Sequence, residues 1–165
     1  MKVNEFDIFQ NKLIGAHIIW EFAKYYRMHH EKKNSPDLML VMPVLPLCLN
    51  KRVVSGIKER NFKEGSLLKA LDQHKDLFSG LQERMEDMAE LTLQSIFIGS
   101  VSGLLVYQRE TGIIIAGSRN FPNTLKNHIG GRYDYADILS ASKRIGAWFS
   151  QVNLSELMLY FNISY

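Results

Sequence analysis

"GLLVYQRETGIIIAG", Gly103 to Gly117, is the stretch that decides how this chain folds. Two apolar runs, Leu104–Tyr107 and Ile113–Ala116, flank the charged turn Arg109-Glu110-Thr111-Gly112. A short glycine-containing turn between two such runs predicts a β-hairpin over 104–116. In front of it, "ELTLQSIFIGSVS" reads as a helix. Thr92 is its candidate N-cap, and Gly103 suits the left-handed position that ends a helix.

Working toward the N-terminus, Gly65 and Ser66 mark a helix start with Ser66 as N-cap. From there Leu67, Leu71, His74, Phe78, Leu81, Met85 and Met88 hold a four-three spacing, interrupted by Ser79-Gly80, where a kink or break is expected. "LMLVMPVLPLCLN" (38–50) contains Pro43 and Pro46, which forbid one regular helix. It reads as a short buried helix or an extended segment, followed by a short helix in "KRVVSGIKER". Residues 5–30 predict one long helix capped by Asn4, with Phe9, Leu13, Ala16, Trp20 and Ala23 along one face and Ile19, Phe22 and Tyr26 widening it.

Beyond the hairpin, residues 118–137 are rich in Asn and Gly and read as a connector. Residues 138–165 return to helical spacing: Ile138, Ile145, Trp148 and Phe149 form one apolar set, and Asn153 or Ser155 caps a last helix. A helix running into a hairpin is how a winged-helix domain ends. The expected fold is therefore mainly α with a small β-hairpin, one domain over 1–165. A winged-helix-like core at 38–117 carries N- and C-terminal helical extensions, 5–30 and 138–165.

At 165 residues, 46% hydrophobic and 22% charged, the composition is that of an ordinary globular domain. The net charge of +3 is mild, and dedicated nucleic-acid binders usually concentrate more positive charge. The one cysteine, Cys48, sits in an apolar run and cannot form an internal disulfide, which fits a reduced, cytoplasmic setting. No secretory signal opens the chain, and the proline-broken run 38–49 is too short to span a bilayer, so no membrane is expected.

Catalytic signatures are missing. There is neither a phosphate-cradling G-x-x-x-x-G-K-[ST] nor a G-x-G-x-x-G. His29 and His30 are adjacent, point about 100° apart on a helix, and suit a solvated helix end better than a metal. His74, on its apolar stripe, reads as a core histidine with one hydrogen bond. "ERMEDMAE" has the charge spacing of a solvated helix face. Basic residues remain: Arg109 in the turn, Arg119 after it, and Lys51-Arg52 with Lys58, Arg60 and Lys63. These either meet phosphates, in salt-sensitive contacts blind to sequence, or simply keep the surface soluble. The helix before the hairpin offers Gln94 and serines but no Arg or Lys to reach base edges.

Taken in order, "NEFDIFQNKLIGAHIIWEFAKYY", "LMLVMPVLPLCLNKRVV", "LTLQSIFIGSVSGLLVYQRETGIIIAG" and "KRIGAWFSQVNLSELMLYFNISY" resemble the middle component of bacterial three-component ABC ATPase systems. That family includes the C subunit of Lamassu-type antiphage defence. The most specific pieces are the N-x-x-x-G-A of the first helix and the K-R-I-G-x-W-F-S near the end.

The resemblance implies a non-enzymatic accessory subunit built around a winged-helix core. It would work beside an SMC-like (Rad50-like) coiled-coil ATPase and an effector, often a nuclease, and help control that effector when foreign DNA is sensed. No cofactor is expected on this chain; ATP and metal belong to the partner subunits. The expected docking surfaces are the apolar faces of 9–26 and 138–161, carried by Phe9, Leu13, Trp20, Ile145, Trp148 and Phe149. The expected DNA-backbone contacts, made through the complex, are Arg109, Arg119, Lys51 and Arg52. The alternative is a stand-alone winged-helix DNA-binding regulator.

Overall fold

A computed structural model describes residues 5–120 and 135–165, with the side chains of 5–10 and 64 left aside. The candidate cap Asn4 and residues 121–134 of the expected connector lie outside the described residues.

The long first helix forms as predicted: α1 spans Glu5–His29. The proline-containing run resolves into two short helices, α2 (Leu38–Val41) and α3 (Val44–Cys48). Pro43 stands at the N-cap of α3 and Pro46 in its first turn, where a missing N–H costs no helical hydrogen bond. Asn50 caps α4 (Lys51–Ile57) by accepting from the Arg52 and Val53 amides.

Then come α5 (Glu64–Gln73), α6 (Lys75–Phe78), α7 (Leu81–Asp87) and α8 (Ala89–Val101). The break at Ser79-Gly80 is present, with Gly80 at φ 73°, and a second break falls at His74. After the hairpin, β1 (Leu105–Gln108) and β2 (Ile113–Ala116), the chain ends in α9 (Tyr135–Phe149) and α10 (Leu154–Phe161). Asn153 is the cap of α10 and forms a reciprocal capping box with Glu156.

Two predicted caps are corrected. Ser66 lies inside the first turn of α5, where its hydroxyl donates to Asn61 Oδ1 at 2.6 Å; the same oxygen accepts the Lys63 amide, so Asn61 organises that start. Thr92 is buried inside α8, because the chain passes from α7 to α8 through Met88 alone and the helix begins at Ala89.

The centre of the molecule is α1. It packs along α9 and α8 and also meets β2 and α3. At the α9 crossing, a Cβ on Gly146 would fall 2.5 Å from the Phe22 carbonyl oxygen and 3.0 Å from the Tyr26 amide nitrogen. At the α8 crossing, a Cβ on Gly15 would overlap the Ser95 side chain. Ser142 on α9 donates from its buried hydroxyl to the Ile18 carbonyl at 2.7 Å. Further contacts tie α9 to the loop after α4: Trp148 Nε1 donates to Asn61 O at 2.9 Å and Lys58 pairs with Asp137 at 2.7 Å.

The hairpin pairs antiparallel from Leu105↔Ala116 to Gln108↔Ile113. Its four-residue loop closes with the Gly112 amide donating to Gln108 O at 2.8 Å, and Gly112 takes φ 71°. The segment before α2 adds a third rung, with Leu38 N donating to Gly112 O and Ile114 N to Pro36 O. Trp20 Nε1 of α1 donates to Gly117 O at 3.0 Å, locking the hairpin's exit to the central helix.

Substituting Gly146→Ala should lower unfolding free energy by about 2 kcal/mol or more, since both clashing atoms are backbone and cannot rotate away. Gly65→Ala, where a Cβ meets open space, should leave stability unchanged or raise it by about 0.5 kcal/mol. Urea denaturation of the two variants distinguishes close helix crossing from generic glycine effects.

Candidate partner interface

The two apolar stripes expected to dock partners cover each other instead. Trp20, Ile145, Trp148 and Phe149 are all buried in the chain's own core, and Leu13 packs against it half-buried. Phe22 and Phe149 meet edge to face at 5.7 Å. The side chain of Phe9 lies outside the described residues. Two wide complementary stripes in one chain satisfy one another before they reach any partner.

The exposed apolar face belongs to α8. Its inner side places Thr92, Ser95, Ile96 and Gly99 in the core. Its outer side presents Leu93, Phe97 and Val101, four residues apart, at 50%, 66% and 72% exposure. A helix apolar on all sides normally sits in a core, whereas this one shows half its circumference to water. On the following strand Val106 and Tyr107 are also exposed, on opposite faces of the hairpin. Such a surface marks an interaction site more often than chance. Its polar members are few, and Gln94 donates to Glu90 at 2.9 Å rather than pointing free. The face was legible in principle: α8 carries more apolar residues than one buried side can use.

The expected DNA contacts do not form one patch. Arg109 stands exposed at the hairpin tip next to Glu110. Arg119 folds back over Gly103 and directs its guanidinium at the Ser102 carbonyl, 3.4 Å away, so its charge sits at the C-terminal end of α8, where a cation is favoured. Lys51 and Arg52 are on α4, whose neighbours are α3, α6 and α9, whereas the hairpin leans on α1 and α8. Arg52 pairs with Asp76 at 2.8 Å with both side chains mostly in water, an arrangement worth little. Lys51, Arg52, Glu59, Arg60 and His74 line an open cleft of about 680 Å³. Arg60 is held by Gly56 O and Gln73 Oε1, both at 2.7 Å.

Histidine 74 is half-buried at the α5–α6 break and is not the core histidine its spacing suggested. That residue is His17, fully buried, with Nδ1 hydrogen-bonded to the Tyr135 hydroxyl and Nε2 3.8 Å from Glu21. Burial, then the nearby Glu21 charge, pushes the Tyr135 phenol well above its ordinary range and keeps it neutral. His29 joins Tyr25 and Phe62 in a cluster of three near-parallel rings with each pair of centroids 5.5–6.0 Å apart, and His30 Nδ1 accepts from the Lys32 and Asn34 amides, so both finish α1 structurally. Burial pushes the Cys48 thiol up to about 12, which leaves it unreactive.

A family model described as "ABC-three component (ABC-3C) system Middle Component 3" matches residues 2–164. The chain belongs to this family. No match was found among curated proteins or solved structures. The two glycines of closest approach fall inside the quoted pieces of sequence: Gly15 in N-x-x-x-G-A and Gly146 in K-R-I-G-x-W-F-S. Those pieces are thus explained by helix crossings rather than by chemistry. As a middle component, the protein has the other members of its three-component system as partners. Among the described residues no single helix is long and apolar enough to cross a membrane.

Truncating a core residue and truncating the exposed face should give opposite results. Trp148→Ala or Phe149→Ala should cost about 3–5 kcal/mol of stability. Phe97→Ala should stay within about 0.5 kcal/mol of the parent chain. Chemical denaturation of the purified protein measures both.

Proposed function

We propose that this middle component is a non-catalytic assembly subunit that docks through α8 and the hairpin onto the SMC-like, Rad50-like coiled-coil ATPase of its system. In that position it restrains the effector, a nuclease, until foreign DNA is sensed, in the manner of Lamassu-type antiphage defence. The observation that carries this reading is the exposed row Leu93–Phe97–Val101 on a chain whose family works in three-component assemblies. ATP and metal are supplied by the partners, and the complex works in the cytoplasm.

A winged-helix core is supported by the order of elements. A helix, a single β rung at 36–38, further helices, then α8 and the hairpin follow one another, and the rung pairs with β2 to widen the hairpin. Where a DNA reader would place basic residues, α8 places Leu93, Phe97 and Val101, so the reading helix is recast as a protein-docking helix. A stand-alone regulator fits less well, because α8 carries no Lys or Arg to reach bases or phosphates.

Co-expression with the ATPase of its three-component system should give a complex that survives sizing. Phe97→Glu should abolish that co-elution without lowering the subunit's own melting temperature, because burying an unpaired carboxylate in an interface is costly while leaving it in water is not. Separate elution of the two wild-type proteins at micromolar concentration would remove the main support for this assignment. At the hairpin tip, Arg109→Glu should weaken DNA binding by the assembled complex several-fold at low salt and leave assembly intact. An unchanged salt titration would exclude the tip from phosphate contact.

A further inference from the structure

A second surface, separate from the α8 face, is a groove of about 800 Å³ where α5, α6, α7 and α10 converge. Its floor is apolar. Leu71 and Phe78 lie beneath Leu68 and Tyr160, which remain 41% and 37% exposed despite being large hydrophobic side chains. The edges carry three carboxylates, Asp72, Glu83 and Glu86, against one ammonium, Lys75. This local negative excess stands on a chain whose net charge is +3.

The walls are fixed. Gln82 donates to Glu86 Oε1 at 2.9 Å, and its own Oε1 accepts the Ser164 amide at 2.9 Å, so the C-terminal residues tie down the α7 wall. The cleft beside α4 has the opposite character, with Lys51, Arg52 and Arg60 against Glu59. The two faces on either side of α6 are therefore lined by charges of opposite sign in excess.

We propose that this groove receives an amphipathic helix with basic flanks from a partner protein. Helical walls without a free sheet edge favour a helix over an added strand, since ridges of an incoming helix fit grooves between helices. The apolar floor would take one stripe of leucine-like side chains, and the three carboxylates would meet lysines or arginines on either side. The carboxylates are solvent-facing, so their contribution is mainly to selection and falls with salt. This surface is independent of the α8 docking site.

The test uses the purified full chain and a synthetic helix of about 18 residues with Leu and Lys at helical spacing, beside its Leu/Glu counterpart. Calorimetry should show one-to-one binding of the Leu/Lys peptide and at least about tenfold weaker binding of the Leu/Glu peptide. Leu68→Glu should weaken the Leu/Lys peptide by about tenfold or more. Glu83→Lys combined with Glu86→Lys should weaken it at low salt, with the difference shrinking at high salt. Phe97→Glu should leave the affinity unchanged, which separates this site from α8. Amide shifts on the unmodified chain provide a readout that needs no variant, and they should cluster on α5, α6, α7 and α10. Equal binding of both peptides, insensitivity to Leu68→Glu, or shifts centred on α8 would overturn the assignment.

Discussion

The core is organised on the central helix α1 and on how closely two other helices approach it. At Gly146 the α9 backbone comes so near α1 that even a methyl group would strike the Phe22 carbonyl. At Gly15 the Ser95 side chain of α8 occupies the space where a β-carbon would sit. The first is backbone against backbone and the second seats a side chain on a glycine, so at both crossings separation of the helices would forfeit dispersion contacts. The buried Ser142–Ile18 hydrogen bond and the Trp20–Gly117 hydrogen bond then fix the register of α9 and of the hairpin on the same helix.

This constraint decides which surface is left over. Because α1 covers its described apolar residues with α9, α8 and β2, Trp20, Ile145, Trp148 and Phe149 are not available to a partner. α8 is different: it has one side against α1 and no described element over Leu93, Phe97 and Val101. A family defined by assembly with other components supplies a reason for the exposure.

Local signals in the sequence were read well, and relational ones were not. Residues 5–30, the 104–116 hairpin, the Gly80 break, the Gly103 turn and the Asn153 cap each depend on a few consecutive side chains, and each is where its residues imply. Ser66 and Thr92 have cap chemistry, but helix starts are set by what precedes them: the Asn61-organised turn in one case and the one-residue passage through Met88 in the other. The docking residues went astray for a related reason. An amphipathic stripe states that something must cover it, and nothing in Trp20 or Trp148 alone says that the cover is the other stripe. His17 was overlooked because its partner Tyr135 is far away in sequence, whereas His74 drew notice through a spacing that α5 abandons at that very residue.

The α8 face and the acidic groove are carried by helices that adjoin in sequence. α7 supplies Glu83 and Glu86 to the groove, α8 supplies Leu93 and Phe97 to the apolar face, and only Met88 separates the two helices. Met88 leaves helical geometry at φ −102° and ψ 6°, while its amide still bonds to Arg84 O and its carbonyl accepts Thr92 N. The joint is therefore hydrogen-bonded on both sides yet bent at a single residue. α8 itself is seated on α1 through Ser95 against Gly15. The two surfaces stay distinct although one residue joins their helices, because α8 is positioned by its own close crossing on α1.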